Sequence, residues 1–561
     1  MKKNILKTAL IPLLMSGIAF SATSCSSWRN NYAYDLDFEV DVSGTTIDFW
    51  TGFGTDINAV VEDMLDEFTA LTGVHVNYET KSGYTGLLQA IQLAATSGDF
   101  PNVAVGYPDH FATYVKQNII VRLDYYFEND VTNSFEGAEK FEISDFYTDY
   151  MRENQEIEYD RDGNPYTLGV PFNKSTEVMV YNSTFFDWCE STVGQETLTA
   201  LEVGPIFVPT TYTELDTVGK NILKLLANVE DGKGGAKGAY DKMLMPNGKA
   251  YKTSAGSGYA TEDAILNLTS IFEAGSTGHV PKDCFKPFSY DSQANLFITT
   301  VRQQGGTYTY FDKTDNHGYV AFKSPETKAG FTVLKNMYDA KTFAIPADWD
   351  EASYGSNPFK ANKTVMTLGS SAGVANSAPT GDRFKIKAAP VPFHAADKKY
   401  VISQGANLAL LDKGSREQRV ASWMLVKFLS KYANGYISSS TGYYPASPFA
   451  EQGGMWVGGN VDEYSDYETW VVDASSSTAS SAEQIRSQTA RVNTEYYVKP
   501  SENWTKFVDV PFAGSADIRE SVKSGPGYIF YEEFGTKGNV SSIIDGALDK
   551  LYDILRDYVK R

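Results

Sequence analysis

The sequence is short of the residues on which several common chemistries depend. Its 561 residues include only 3 cysteines, Cys25, Cys189 and Cys284. So few cannot build a disulfide framework, although Cys189 and Cys284 could pair, and the stability of so long a chain has to come from a buried core. The 5 histidines, His75, His110, His279, His317 and His394, are scattered. Neither H-E-x-x-H nor Cys-x-x-Cys occurs, so no metal and no cofactor is expected. Positive charge is scarce too: 49 Lys and Arg face 70 Asp and Glu, for a formal net charge of -21. Nucleic-acid binders need basic patches, so no nucleic-acid partner is expected. The same acidity disfavours docking on anionic lipid and favours solubility at a cell surface. No G-x-x-x-x-G-K-S/T loop is present, which leaves the chain without that means of binding nucleotide phosphates.

Long apolar runs are missing as well. The run from Ala9 to Phe20 follows Lys2, Lys3 and Lys7. It falls short of the roughly 20 residues that a spanning helix needs, and it suits a signal-peptide core. Ser21-Ala22-Thr23-Ser24-Cys25 comes next and resembles a bacterial lipobox, with Ala22 where leucine is usual. The resemblance implies a signal peptide over 1–24 and a diacylglyceryl group on the thiol of Cys25. Residues 25–43 are polar and irregular and read as a tether.

Beyond the tether, periodicity takes over. Thr45–Trp50 reads as a strand. Ile57, Val60, Val61, Met64, Leu65, Phe68 and Leu71 keep helical spacing up to Gly73, a helix-ending residue. Val74, Val76 and Tyr78 alternate as a half-buried strand does. Leu87, Leu88 and Ile91 mark a second helix, and Val103–Val105 a third strand. Strand, helix, strand, helix, strand predicts a parallel α/β sheet. Asp160-Arg161-Asp162-Gly163 reads as a hairpin turn rather than a calcium loop. Thr211 and Glu214 form a capping box ahead of Leu215, Val218, Ile222 and Leu225. Residues 231–258 read as a surface excursion and Ala474–Ala482 as a mobile low-complexity segment. Further helices are expected on Val420, Met424 and Phe428, and on Ile544, Leu548, Leu551 and Leu555.

Several stretches, taken in order, are similar to the extracellular solute-binding proteins that include maltodextrin and glycerol-3-phosphate binders. They are Phe68–Val76 (FTALTGVHV), Ala95–Val103 (ATSGDFPNV), Gly169–Asn182 (GVPFNKSTEVMVYN) and Val208–Leu215 (VPTTYTEL). Phe359–Ser371 (FKANKTVMTLGSS), Ala389–Leu410 and Thr441–Pro445 (TGYYP) complete the set. Asn102 departs from the usual Asp, Asn362-Lys363-Thr364 departs from Gly-Lys-x, and residues 228–300 fit poorly. The resemblance implies a two-lobed α/β fold of the type II periplasmic-binding-protein kind. Its lobes are discontinuous and joined by a hinge, with the ligand cleft between them. It places 44–174 and 370–412 in the N-terminal lobe, and 175–369 and 413–561 in the C-terminal lobe. It also implies a monomer, lipid-anchored on the outer face of the cell membrane. Such a chain captures a small polar ligand for an ABC permease whose energy comes from an ATPase on other subunits.

The same resemblance nominates residues for the cleft. Tyr107 and Asp109 follow the Val103–Val105 strand, where sugar binders of the family use aromatic and acidic side chains. Trp50 closes the first strand and suits cleft and core equally. Ser175 lies in the PFNKST block. Ser370 and Ser371 follow the Thr364–Leu368 strand, where turn chemistry is the alternative. Gly405, lacking a Cβ, suits close backbone approach to a ligand. Tyr444 offers a ring or hydroxyl, with packing against Pro445 as the alternative. Asp517 and Arg519 lie in Pro511–Glu520, which loosely resembles a cleft loop. Sugars need aromatic faces and polar side chains, and the composition has 36 tyrosines. Plain packing suits the tyrosines equally. A phosphate, however, would want an arginine or a row of backbone amides, and Arg519 is the only arginine near a matching loop. A carbohydrate, a mono- or oligosaccharide, is therefore expected. Glycerol 3-phosphate or a glycerophosphodiester is the alternative, because PFNKST and Thr364–Asn376 resemble the glycerol-phosphate binders and Arg519 suits a phosphate. An anchored hydrolase is the remaining rival. Gly369-Ser370-Ser371-Ala372-Gly373 matches a nucleophile-elbow pattern, but only His394 follows it. No catalytic role is expected.

Overall fold

The computed structural model describes residues 31–200, 202–231, 285–315, 317–351, 354–379, 384–452, 467–498 and 504–559. The expected signal peptide, Cys25, Cys284 and most of the poorly matching 228–300 stretch lie outside them. Among the described residues no helix is long and apolar enough to cross a membrane.

Among the described residues ten strands build two five-stranded sheets: β1 (Thr46–Thr51), β2 (His75–Thr80), β3 (Val103–Gly106), β4 (Val170–Pro171), β5 (Glu177–Asn182), β6 (Phe288–Tyr290), β7 (Phe343–Ala344), β8 (Met366–Ser370), β9 (Ile386–Ala389) and β10 (Asn407–Leu410). The first sheet has the order β2-β1-β3-β10-β4 and the second β9-β5-β8-β6-β7. β1, β2 and β3 are parallel, as the alternation of strand and helix requires, and β10 returns antiparallel to β3. The sequence signals hold locally. The helix Thr55–Thr72 buries Val61, Met64, Leu65 and Phe68 and ends at Gly73, whose φ of 71° suits a residue without a Cβ. Thr211 accepts from the Glu214 N–H at 3.1 Å, and Glu214 accepts from the Thr211 N–H at 3.1 Å. Gly163, at φ 86°, turns the Asp160–Asn164 hairpin. The last helix, Val540–Leu555, buries Ile544, Leu548, Leu551 and Leu555.

Each sheet has its own core. Around the first, Phe49, Phe68, Val105 and Trp423 are buried, with Trp423 ringed by Tyr126, Phe127 and Phe141 at 5.4, 5.0 and 5.2 Å. Around the second, Phe288, Phe297, Phe331 and Phe530 pack together.

Several expectations need correction. Residues 413–446 were expected in the second lobe, yet Val420, Trp423, Phe428, Ile437 and Ala446 fill the first core. Conversely β9 pairs with β5, so residues 386–389 join the second sheet instead of the first. The return crossing lies at Gln404–Gly405, not at residue 370, and an amphipathic pattern says that a face is buried without saying in which core. The part of the tether from 31 to 43 is not free: Phe38 and Val42 are buried in the first core, and Tyr34 meets Tyr125 edge-on at 5.8 Å. Ala474–Ala479 forms turns, and Ser480 caps the helix Ser481–Val492 through its Oγ. Cys189 is buried with a free thiol.

The chain passes between the lobes on adjacent strands. The Ser175 N–H donates to Gln404 O at 2.8 Å, the Gln404 N–H donates back to Ser175 O at 2.7 Å, and the Tyr444 N–H donates to Lys174 O at 2.7 Å. A buried ion pair between Lys174 and Glu153 lies under this crossing, and Lys174 also donates to Gly405 O at 3.2 Å. Tyr150, Tyr444, Tyr467 and Ala490 form a small third cluster beside it.

Candidate ligand-binding cleft

Between the lobes lies a cavity of about 500 Å³. Its walls come from the places where strands end. β3 stops at Gly106 and delivers Tyr107–His110, and β6 stops at Tyr290 and delivers Asp291–Asn295. The crossing strands supply Ser175 and Ser403–Gly405 as its back. The helix Ser515–Ser524 supplies Arg519 and Glu520 from the far lobe. Loops beyond the carboxyl ends of strands are where open α/β sheets hold ligands.

Tyrosines and carboxylates dominate the lining. Tyr84 and Tyr107 pack with ring centres 4.8 Å apart, and Tyr443 and Tyr354 join them in the wall. Asp109 sits in the first turn of the helix Pro108–Lys116, where its Oδ1 accepts from the His110 N–H at 2.9 Å. Burial holds His110 below the usual imidazole range, against the pull of Asp109, so it is neutral near pH 7. Arg519 donates to Asp509 at 2.5 Å and also to Asn295 Oδ1. Desolvation works against the guanidinium charge, but Asp509 and Asp109 outweigh it and lift the pKa further. Burial pushes Asp509 up even with that partner. Behind Asn295, Glu177 accepts from the Tyr290 hydroxyl and from Asn295 Nδ2, the latter at 2.8 Å; burial lifts its pKa to about 7. Asp291, also pushed up to about 7 by burial, accepts from the Gly355 N–H.

Of the ten residues expected at the site, seven meet in this cavity: Tyr107, Asp109, Ser175, Ser370, Gly405, Asp517 and Arg519. Trp50, Ser371 and Tyr444 do not line it. Trp50 lies half-buried on β1 with the Lys81 ammonium 3.8 Å above its ring. Ser371 is fully buried, and its Oγ accepts from the Thr176 N–H at 3.0 Å. Tyr444 is buried and donates to Glu451 at 2.8 Å, while its neighbour Tyr443 faces the cavity. Gly405 has a different reason for being glycine than ligand approach. At φ 94°, a Cβ there would stand 1.8 Å from Asn173 O. The sequence reading missed Glu153, Asp291, Asn295, Gln404 and Asp509, which carry no motif. The elbow pattern makes no nucleophile. Its central serine is Ser371, whose Oγ is engaged in the crossing, and His394 stacks on Tyr212 at 4.1 Å with its pKa held near 4 by burial.

The fold has counterparts among solved structures. The binding protein for cyclic alpha-maltosyl-1,6-maltose from Arthrobacter globiformis matches with a TM-score of 0.55 at 14% identity, over 91% of this chain and 99% of that one. UgpB from Mycobacterium tuberculosis, in complex with glycerophosphocholine, matches with a TM-score of 0.57 at 16% identity, over 91% and 98%. The sugar-binding protein MalE from Xanthomonas citri matches with a TM-score of 0.54 at 14% identity, over 92% and 98%. These likenesses establish the two-lobed type II binding-protein fold. No curated protein matches the chain by sequence. A family model described as bacterial extracellular solute-binding protein matches residues 63–464. The chain belongs to that family.

Proposed function

We propose that this solute-binding protein captures a carbohydrate in the interlobe cleft and delivers it to the permease of an ABC importer. The observation that carries the reading is the character of the cleft wall. Tyr84, Tyr107, Tyr354 and Tyr443 offer apolar faces and hydroxyls, while Asp109, Glu153, Asp291, Asp509, Asp517 and Glu520 outnumber Arg519 and Lys523. Carboxylates accept hydrogen bonds from sugar hydroxyls and repel phosphate. Arg519, the group best suited to a phosphate, is already bonded to Asp509 and Asn295. Both ligand classes occur among the structural relatives, and Arg519 keeps a glycerophosphodiester as the second reading. The protein binds without catalysis. In this proposal it works as a monomer tethered by a diacylglyceryl group on Cys25.

The test is a thermal-unfolding screen of the chain from Ser26 onward. The ligands are maltodextrins, other oligosaccharides, glycerol 3-phosphate and glycerophosphocholine. A ligand at 100 times its Kd adds about 2.7 kcal/mol of stability. A shift with a sugar supports the reading. A shift with the phosphates alone replaces it with the second, and release of cleavage products would make the chain an enzyme. For the anchor, Cys25→Ser should move the expressed protein from the membrane fraction to the medium.

A further inference from the structure

A second cavity, of about 310 Å³, adjoins the cleft. The two share Asp291, Tyr354 and Ser370 in their walls. The second is cut into the far lobe alone, between the end of β8, the helix Ser356–Lys360 and the turn Ser371–Ser377. Its wall mixes polar and apolar groups, with Asn357, Thr367 and Asn376 beside Val180 and Val374. Small-molecule sites run from roughly 300 to 1,000 Å³, so each cavity by itself is large enough for a ligand. A single small solute filling the cleft would leave the second cavity to water.

The junction is marked by an aromatic ring. Tyr354 is 65% exposed, although most tyrosines among the described residues are packed. The backbone beside it is held: the Gly355 N–H donates to the Asp291 carboxylate, and Gly355 O accepts from the Phe359 N–H at 3.0 Å. Gly355 is thus held at the boundary of the two cavities while the Tyr354 ring stays open to water. An exposed aromatic face at the edge of a cleft suits stacking against the apolar face of a sugar ring.

We propose that the ligand is an oligosaccharide of at least two linked units. One end occupies the interlobe cleft, the other enters the second cavity, and Tyr354 stacks between them. This rests on the carbohydrate reading above and adds to it a length requirement and the residues that impose it.

Isothermal titration of the chain from Ser26 onward tests this. The probes are glucose, maltose, maltotriose and maltotetraose, with glucose, cellobiose, cellotriose and cellotetraose in parallel. In the series that binds, affinity should rise about tenfold or more between the single ring and the longer members. Tyr354→Ala and Asn376→Leu should each flatten that rise, and Tyr354→Phe should keep it. Thermal unfolding of each variant confirms that it folds. Affinity independent of length, or a rise that survives both substitutions, would overturn the proposal while leaving the carbohydrate reading intact. Failure of every sugar to bind the folded wild type would remove the carbohydrate reading and the length requirement with it.

Discussion

Arg519 donates to the side-chain oxygen of Asn295, and the Asn295 amide has no freedom to turn away. Its Nδ2 already donates to Glu177 Oε1 at 2.8 Å and to Gln404 Oε1 at 2.9 Å. Both acceptors fix the amide, so Oδ1 must face the guanidinium. Gln404 lies on the crossing strand, so the hinge and the cleft cation are joined through one side chain. Arg519→Lys keeps the charge but loses the planar fork. It should weaken ligand binding by about tenfold, the cost of one charge-assisted hydrogen bond. Asn295→Ala should weaken binding and also lower the melting temperature, because Glu177 loses a donor. Titration calorimetry and thermal unfolding separate the two effects. Unchanged binding in Arg519→Lys would remove Arg519 from the site.

The local elements were legible in the sequence because period 3.6 and period 2 patterns report burial directly. The cleft was legible in part, wherever a matching motif ended at it: Tyr107 and Asp109 after β3, Ser175 in the crossing block, Arg519 near the end. The misses divide into two kinds. Tyr444 and Ser371 are each one residue away from a cleft residue, Tyr443 and Ser370, because successive side chains of extended backbone point to opposite faces. Asn295, Gln404 and Asp509 lie far apart in sequence, and they meet only once the second lobe and the crossing strand are in place. No spacing rule could have joined them. The lobe boundary was misplaced for a related reason: Val420, Met424 and Phe428 announce a helix with an apolar face but not which core receives it.

Asp291 and Glu177 should make stability fall as pH rises through the mildly acidic range. In the fold they titrate near 7, against ordinary values of 3.8 and 4.5, because burial penalises their charged forms. The folded state therefore binds more protons than the unfolded chain between about pH 4 and pH 7, and that stability is lost as pH rises through 7. Asp291→Asn keeps an acceptor for the Gly355 N–H and cannot ionise. Relative to its difference from wild type at pH 4, it should gain up to about 4 kcal/mol by pH 8. Denaturant titrations at the two pH values measure this, and a difference that does not change with pH would sink the assignment.

Gly405→Ala should damage the hinge. The new Cβ would collide with Asn173 O, and the positive φ is strained for any side chain. The expected loss is about 2–4 kcal/mol, read from the midpoint of chemical unfolding. An unchanged midpoint would mean that the crossing strands separate more easily than their pairing implies.

The adjacent serines offer a contrast between structure and site. Ser371→Ala removes the acceptor of the buried Thr176 N–H and should cost about 1–3 kcal/mol of stability. Ser370 lies in the cleft wall, where its Oγ accepts from the Ala372 N–H at 3.3 Å. Ser370→Ala should change ligand affinity with less effect on the melting temperature. A covalent adduct of either serine with a fluorophosphonate would revive the hydrolase reading, which the burial of Ser371 argues against.

The two lobes touch across the cleft through a side-chain hydrogen bond. Thr85, on the helix Gly83–Ala94 of the first lobe, donates to Glu520 Oε2 at 3.2 Å, and Glu520 belongs to the helix Ser515–Ser524 of the second. A ligand that binds both lobes shifts the population toward the closed form only by its difference in affinity for the two states. Any contact made only in the closed form adds to that difference. One neutral-to-charged hydrogen bond, partly exposed, is worth about 1 kcal/mol net. Thr85→Val should therefore weaken ligand binding about fivefold while leaving unfolding of the free protein nearly unchanged. The loss should appear mainly in the dissociation rate, since contacts made after encounter govern escape more than capture. Stopped-flow measurement of both rate constants decides the matter. A loss confined to the association rate would mean that Thr85 meets the ligand before closure and is not a latch.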